Sequence, residues 1–313
     1  VKFLLPKNWE LATLLEETET PGEFIAWNYD ALADSPAEAG NFQEYQYAQG
    51  GAMYRIVVHA DPGDYSAERL LASLQRITAA ATALMRDVPF TQYTFILHFP
   101  REGSGGGMEH RDGTAISFPA AELRTNWQGL EGTLAHEFFH AWNVKRIRPQ
   151  SLEPVDYVHG NDTQDLWFCE GLSSTYQQLV LLRAGLLTRE AFYQGLAQEI
   201  RRLQERPARR FQSVAQAGVE AWLEKYPDYL RPERSISYYN KGALVGFLLD
   251  LAIRHATGNQ RSLDDLLRRL NEDFARRGRF FTPADLRALV ADLAPAFTGP
   301  DEFFNDYVSG TRE

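Results

Sequence analysis

Apolar positions recur at two periods along this chain, and the change from one to the other falls near residue 128. Before it, short alternating runs dominate. "QEYQYAQGGAMYRIVVHA" alternates on both sides of Gly50-Gly51 and predicts a β-hairpin. From about 66 to 87, Leu, Ile and Ala recur at helical spacing behind Ser66, a suitable N-cap. "TQYTFILHFP" (91–100) predicts a strand, "REGSGGG" (101–107) a glycine loop and "MEHRDGTAISFP" (108–119) another strand. After residue 128 the period stays helical. It predicts helices over about 129–146, 163–184, 188–206, 213–225, 237–257, 262–277, 283–293 and 300–309. Thr188, Ser262 and Thr282 fit N-caps, Pro283 fits a first helical position, and glycines 185, 258 and 278 stand where helices end. The expected class is α+β, with an α/β lobe over 59–128 and a helical lobe over 129–313. Residues 1–58 mix short apolar pieces with Pro, Gly and acidic turns and read as the end of something separate.

Composition narrows this picture. The 313 residues, 44% hydrophobic and 12% aromatic, are enough for a sizeable core. A net charge of −10 and a pI near 5.3 argue against a nucleic-acid-binding surface. No apolar run approaches the roughly 20 residues of a membrane span. Cys169 is the one cysteine, so no internal disulfide forms and nothing demands an oxidising compartment. The cytoplasm is slightly favoured over the periplasm. The start at Val1, without methionine, points to a processed or trimmed form. The basic stretch "RRLQERPARR" (201–210) reads as a solvated helix end.

The candidate chemistry lies in "TLAHEFFHAWNVKRIRP" (133–149). His136 and His140 are four apart and so share one helical face, where both imidazoles can reach one ion. Glu137 is rotated by about 100° from His136, away from that coordination sphere, but can take a proton from water held beside it. Zinc lowers the pKa of a bound water to near 7, and the carboxylate then serves as general base. The HExxH pattern arises by chance in roughly one chain of this size in a hundred. Its flanks, Leu134, Ala135, Phe138, Phe139, Ala141 and Trp142, predict a buried helix in which two histidines and a glutamate need compensation. A catalytic zinc takes three protein ligands and leaves one position open. Glu170, inside the apolar "LWFCEGLSSTY", is the expected third ligand. The rivals His159 and Asp162 lie in a polar loop. Cys169, rotated away from Glu170, reads as a small buried residue.

HExxH, then W-x-x-E-G, then Y-x-K-G is similar to the gluzincin metallopeptidases, thermolysin-like and aminopeptidase N-like. The closer resemblance is to the glycyl aminopeptidase family. It is carried by "LAHEFFHAWNVKRIRP", "GGGMEHRDGT", "WFCEGLSSTYQQLVLLRAGL" and "SYYNKGALVGFLLDLAIR" and covers most of the chain from about residue 50. The resemblance implies a thermolysin-like zincin catalytic domain over 59–313, with residues 1–58 as the tail of an N-terminal β domain and the family's PDZ domain absent. It assigns Tyr239 of "YYNKG" as donor to the tetrahedral oxyanion, with Tyr238 as rival, and a phenol can do this beside a metal. It places Glu109 of "GGGMEH" on the substrate's α-amine, with Gly106 and Gly107 letting the peptide backbone approach. His110 stands where relatives carry asparagine. Ser174 stands one turn past Glu170, where relatives often carry a carboxylate, which leaves Asn143, a carbonyl or another segment to orient the histidines.

The implied function is a zinc aminopeptidase with one zinc ion per chain. It would act on peptides with a free N-terminus and favour glycine or alanine first, the last carried by the resemblance alone. An endopeptidase of the same fold and a catalytically silent peptide-binding module are the alternatives.

Overall fold

Strands β5 (Gln43–Gln49) and β6 (Ala52–Ala60) pair antiparallel with Gln49 opposite Ala52, which leaves Gly50 and Gly51 as a two-residue turn. Both glycines have positive φ, 61° and 88°, the conformation that matches a tight hairpin to strand twist. This is a computed structural model, and it describes residues 1–223 and 231–313. The chain divides into two compact units, Val1–Ala141 and Trp142–Glu313.

In the first unit, β6 leads through helix α2 (Ala67–Met85) to β7 (Gln92–Phe99), which pairs parallel to β6 with Ile56 opposite Phe95. Ser66 caps α2 by accepting from the Arg69 N–H at 3.3 Å, and Leu70, Leu74, Ile77 and Ala81 form its buried face. The expected strand 108–119 is instead a hairpin of β8 (Gly106–His110) and β9 (Gly113–Ser117), with His110 opposite Gly113. The intervening Arg111-Asp112, followed by Gly113, is a hairpin turn inside an apparently continuous strand. The sheet order is β5-β6-β7-β9-β8, so β8 is an edge strand. Gly106 and Gly107 are strand residues at that edge rather than loop residues. Upstream lie two small antiparallel pairs. One joins β1 (Glu10–Thr13) to β4 (Ala37–Gly40), the other β2 (Glu16–Glu17) to β3 (Phe24–Ile25), with helix α1 (Tyr29–Ala33) between β3 and β4.

Helix α3 (Trp127–Phe139) closes the unit and ends earlier than its apolar run suggests. The ladder tightens at Ala141, whose N–H reaches Phe138 O at 3.1 Å. It widens at Ile147, whose N–H reaches Trp142 O at 2.7 Å, so 140–146 is a series of turns.

The second unit is helical: α4 (Leu172–Arg183), α5 (Arg189–Gln204), α6 (Val214–Val219), α7 (Tyr238–Ala256), α8 (Leu263–Asp273), α9 (Pro283–Leu293) and α10 (Pro300–Phe304) among the described residues. The end of the helix expected over 213–225 lies outside the described residues. The helix expected from 163 opens as a π-helical turn, Trp167–Gly171. Those expected over 262–277 and 300–309 also change pitch in their last turn, to a 3₁₀ turn (Ala275–Arg277) and a π turn (Asn305–Ser309). Trp142, Phe168, Tyr176 and Phe281 are fully buried in its core. The Tyr176 hydroxyl donates to Asp264 at 3.0 Å, and Asp264 also pairs with Arg183 at 2.8 Å. No described helix is long and apolar enough to cross a membrane.

Candidate active site

In the first unit, α3 is pinned to the sheet by Phe138. Its ring meets Tyr93 edge-on at 4.9 Å and lies within 6.1 Å of Tyr54, Phe90 and Phe95. The buried Glu131 is compensated by Ser73 Oγ at 2.7 Å and Trp127 Nε1 at 3.1 Å, which ties α3 to α2. The Tyr93 hydroxyl reaches the Glu137 carbonyl at 3.5 Å. So anchored, α3 presents His136, Glu137 and His140, which are 9%, 7% and 1% exposed. The imidazoles lie 4.7 Å apart at 79°. His140 is the cap residue, but its N–H still bonds His136 O at 3.3 Å, so the one-turn spacing holds.

Edge strand β8 runs against this helix. A methyl on Gly107 would overlap the Glu137 side chain, whereas one on Gly106 would meet nothing within 4 Å. Two residues on, Glu109 brings a carboxylate oxygen to the helix. Donor atoms of Glu109, Glu137 and His140 all lie within 4.8 Å of one another. Two carboxylates at that spacing repel unless a cation lies between or beside them. The buried imidazole pair and the carboxylates are a donor set suited to zinc, and a protonated amine would serve Glu109 equally. His110 turns the other way. It faces Asp34 at 3.3 Å, and the Arg111 N–H donates to the same carboxylate at 2.9 Å, which ties the hairpin to the end of α1.

In the second unit, Glu170 lies on the π-helical turn and is half-buried, while Trp167, Phe168 and Cys169 are buried. Asn143, fully buried, holds that turn. Its Nδ2 donates to the carbonyls of Phe168 (3.0 Å) and Cys169 (3.1 Å) and to Ser173 Oγ (3.2 Å). Ser174 Oγ bonds back to Glu170 O at 2.9 Å. His159 is exposed and paired with Asp156 at 3.0 Å, and Asp162 is exposed.

Tyr239 lies in the first turn of α7, which Ser237 caps by accepting from the Asn240 N–H at 3.3 Å. Tyr238 and Tyr239 stack at 4.9 Å, but Tyr238 is only 5% exposed, whereas Tyr239 opens onto a cavity of about 600 Å³. Phe192, Phe247, Glu199, Arg202 and Arg206 also line it. The stretch read as a solvated helix end thus sends two arginines into a cavity wall, where Arg202 pairs with Glu199 at 2.8 Å and Arg206 donates to Ser235 O at 2.8 Å. The glycines of the two motifs explain each other. A methyl on Gly171 would stand 2.5 Å from Gly242 Cα, so the π turn bearing Glu170 and the helix bearing Tyr239 cross backbone to backbone.

Residues 130–245 match the M61 glycyl aminopeptidase family, and residues 1–41 match the M61 N-terminal domain. The chain superposes on an aminopeptidase N family protein from Idiomarina loihiensis with a TM-score of 0.90 and 25% identity. The match covers 98% of this chain and 54% of that one, so the chain spans about half the length of that relative. No curated protein matches the chain.

Proposed function

We propose, since the chain belongs to the M61 glycyl aminopeptidase family, that it hydrolyses the N-terminal peptide bond of peptides and favours a small first residue, glycine or alanine. His136, His140 and Glu170 would hold one zinc ion, which when bound would acidify water and polarise the scissile carbonyl. The observation that carries the reading is the convergence of Glu109 on Glu137 and His140.

Each residue then has a role set by its chemistry. Glu109 pairs with the protonated α-amine and fixes the first residue. Strand β8 offers its free edge to the peptide backbone, and Gly107 leaves room beside Glu137. Glu137 takes a proton from the attacking water as the oxygen bonds to the carbonyl carbon. It returns that proton to the departing nitrogen as the C–N bond breaks. Tyr239 donates its phenol hydrogen bond to the carbonyl oxygen as charge develops there. The amine requirement makes this an aminopeptidase and not an endopeptidase.

The test compares glycyl-, alanyl- and acetylglycyl-anilides on one preparation. The free amines should be cleaved and the acetylated substrate should not. Glu109→Ala should lower kcat/KM by about 2–4 kcal/mol, the scale for losing one partner of a desolvated charge pair. Equal turnover of free and acetylated substrates overturns the assignment in favour of an endopeptidase.

A further inference from the structure

A second group of metal-ligating side chains lies in the first unit, apart from the HExxH helix. His59 and His98 occupy neighbouring positions on the parallel strands β6 and β7, in direct register near the carboxyl ends of both. Their rings stack, with centroids 4.6 Å apart and planes 30° from parallel. The Glu38 carboxylate of β4 faces both. One oxygen bonds His59 Nδ1, and the other lies 3.8 Å from His98 Nδ1. Donor atoms of the three residues all lie within 4.8 Å of one another. Gly40 gives the His59 ring its place, since a methyl there would stand 3.3 Å from Cε1.

We propose that Glu38, His59 and His98 form a second transition-metal site, suited to zinc. The argument rests on donor type and convergence. Two imidazoles and one carboxylate are ligands that zinc accepts in four-coordinate sites, with water completing the set. Both Nδ1 atoms turn toward the same carboxylate, so a small rotation of each ring brings three lone pairs onto one point. Parallel strands hold the histidines side by side without help from loops. Glu38 is only half-buried, yet it is placed by the β1–β4 pair, so a bound ion would clip the β4 segment onto the five-stranded sheet. The clip is structural, because none of the residues assigned to peptide hydrolysis takes part.

The experiment is zinc stoichiometry on the full chain, loaded with excess zinc and passed through gel filtration before elemental analysis. The wild type should retain two zinc ions per chain. His98→Gln and Glu38→Gln should each retain one, with kcat on alanyl-anilide unchanged and the same apo melting temperature as wild type. His136→Ala should also retain one, but with activity lost. Added zinc should raise the melting temperature of His136→Ala and fail to do so once His98→Gln is combined with it. A single zinc lost with His98→Gln but kept in His136→Ala would support this site while removing the proposed catalytic one. A wild type retaining one zinc that only His136→Ala removes, or a His98→Gln protein retaining two, overturns the proposal.

Discussion

Replacing Gly107 by alanine tests whether edge strand β8 sets the position of Glu137, the proposed general base. The added carbon would stand 2.5 Å from Glu137 Cγ, and carbon atoms pack comfortably at about 3.5–4.0 Å, so something must yield by about 1 Å. Glu137 is 7% exposed and rides on a helix pinned by Phe138, so its backbone has little freedom. The side chain is the softer partner. Overpacking of this kind costs about 1–3 kcal/mol in stability. A misplacement of about 1 Å at a reacting group costs on the order of 10² in rate. Gly107→Ala should therefore melt only a few degrees lower, keep its zinc and lose about 10² in kcat on alanyl-anilide. Gly106→Ala is the comparison, since a methyl there meets nothing of the protein within 4 Å: Glu137 stays in place and kcat should stay within a factor of about 3, any effect on the peptide's approach to β8 falling on KM. If the two variants have the same kcat, the strand does not position Glu137 and the reasoning fails.

The other expectations concern single groups. Glu137→Gln should keep zinc while kcat collapses by orders of magnitude, and Glu170→Ala should lose most of the zinc in elemental analysis. Tyr239→Phe should cost about 10² to 10³ in kcat, whereas Tyr238→Phe, lacking access to the cavity, should stay near wild type. The reverse result moves the oxyanion donor one residue back. Burial raises the pKa of Asp165 against the opposing hydrogen bonds from Ser151 and Thr163. A carboxyl raised in the folded state adds stability that is fully present below its unfolded value, about 3.9, and is lost as pH rises through the folded value. Asp165→Asn should therefore gain on wild type as pH goes from 4 to 7, and a melting-temperature difference that does not change with pH removes the assignment.

Local signals were legible because they are written in adjacent residues. Ser66, Thr188 and Thr282 cap their helices, the Gly50-Gly51 turn forms, and the HExxH helix is buried as its apolar flanks required. The misses share a cause. The pattern "MEHRDGTAISFP" has apolar residues on both sides of a two-residue turn, and period alone does not separate one strand from two. The stretch 201–210 does end α5 and keeps Arg202 more than half exposed, as read, but nothing near it in sequence shows that Arg202 and, beyond the helix, Arg206 also border a cavity. Asn143 was named as one candidate to orient His136 and His140; what went unforeseen is that its Nδ2 donates to carbonyls 25 and 26 residues away, a pairing no local pattern encodes. Glu38, His59 and His98 went unread for the same reason, since only parallel strand register puts the two histidines side by side.

The crossing of Gly171 and Gly242 has a consequence for when the proposed site can assemble. These glycines are 71 positions apart, so closing that contact is among the later and slower events of folding. Until it closes, the turn carrying Glu170 and the helix carrying Tyr239 have no fixed separation, even if each is already helical. On the proposed roles, a chain emerging from the ribosome therefore exposes HExxH about a hundred residues before Glu170 and Tyr239 can be held together. In refolding, peptidase activity should return after far-ultraviolet helicity has recovered. The delay comes from the sequence separation, and the two missing methyl groups are what let the crossing close at all.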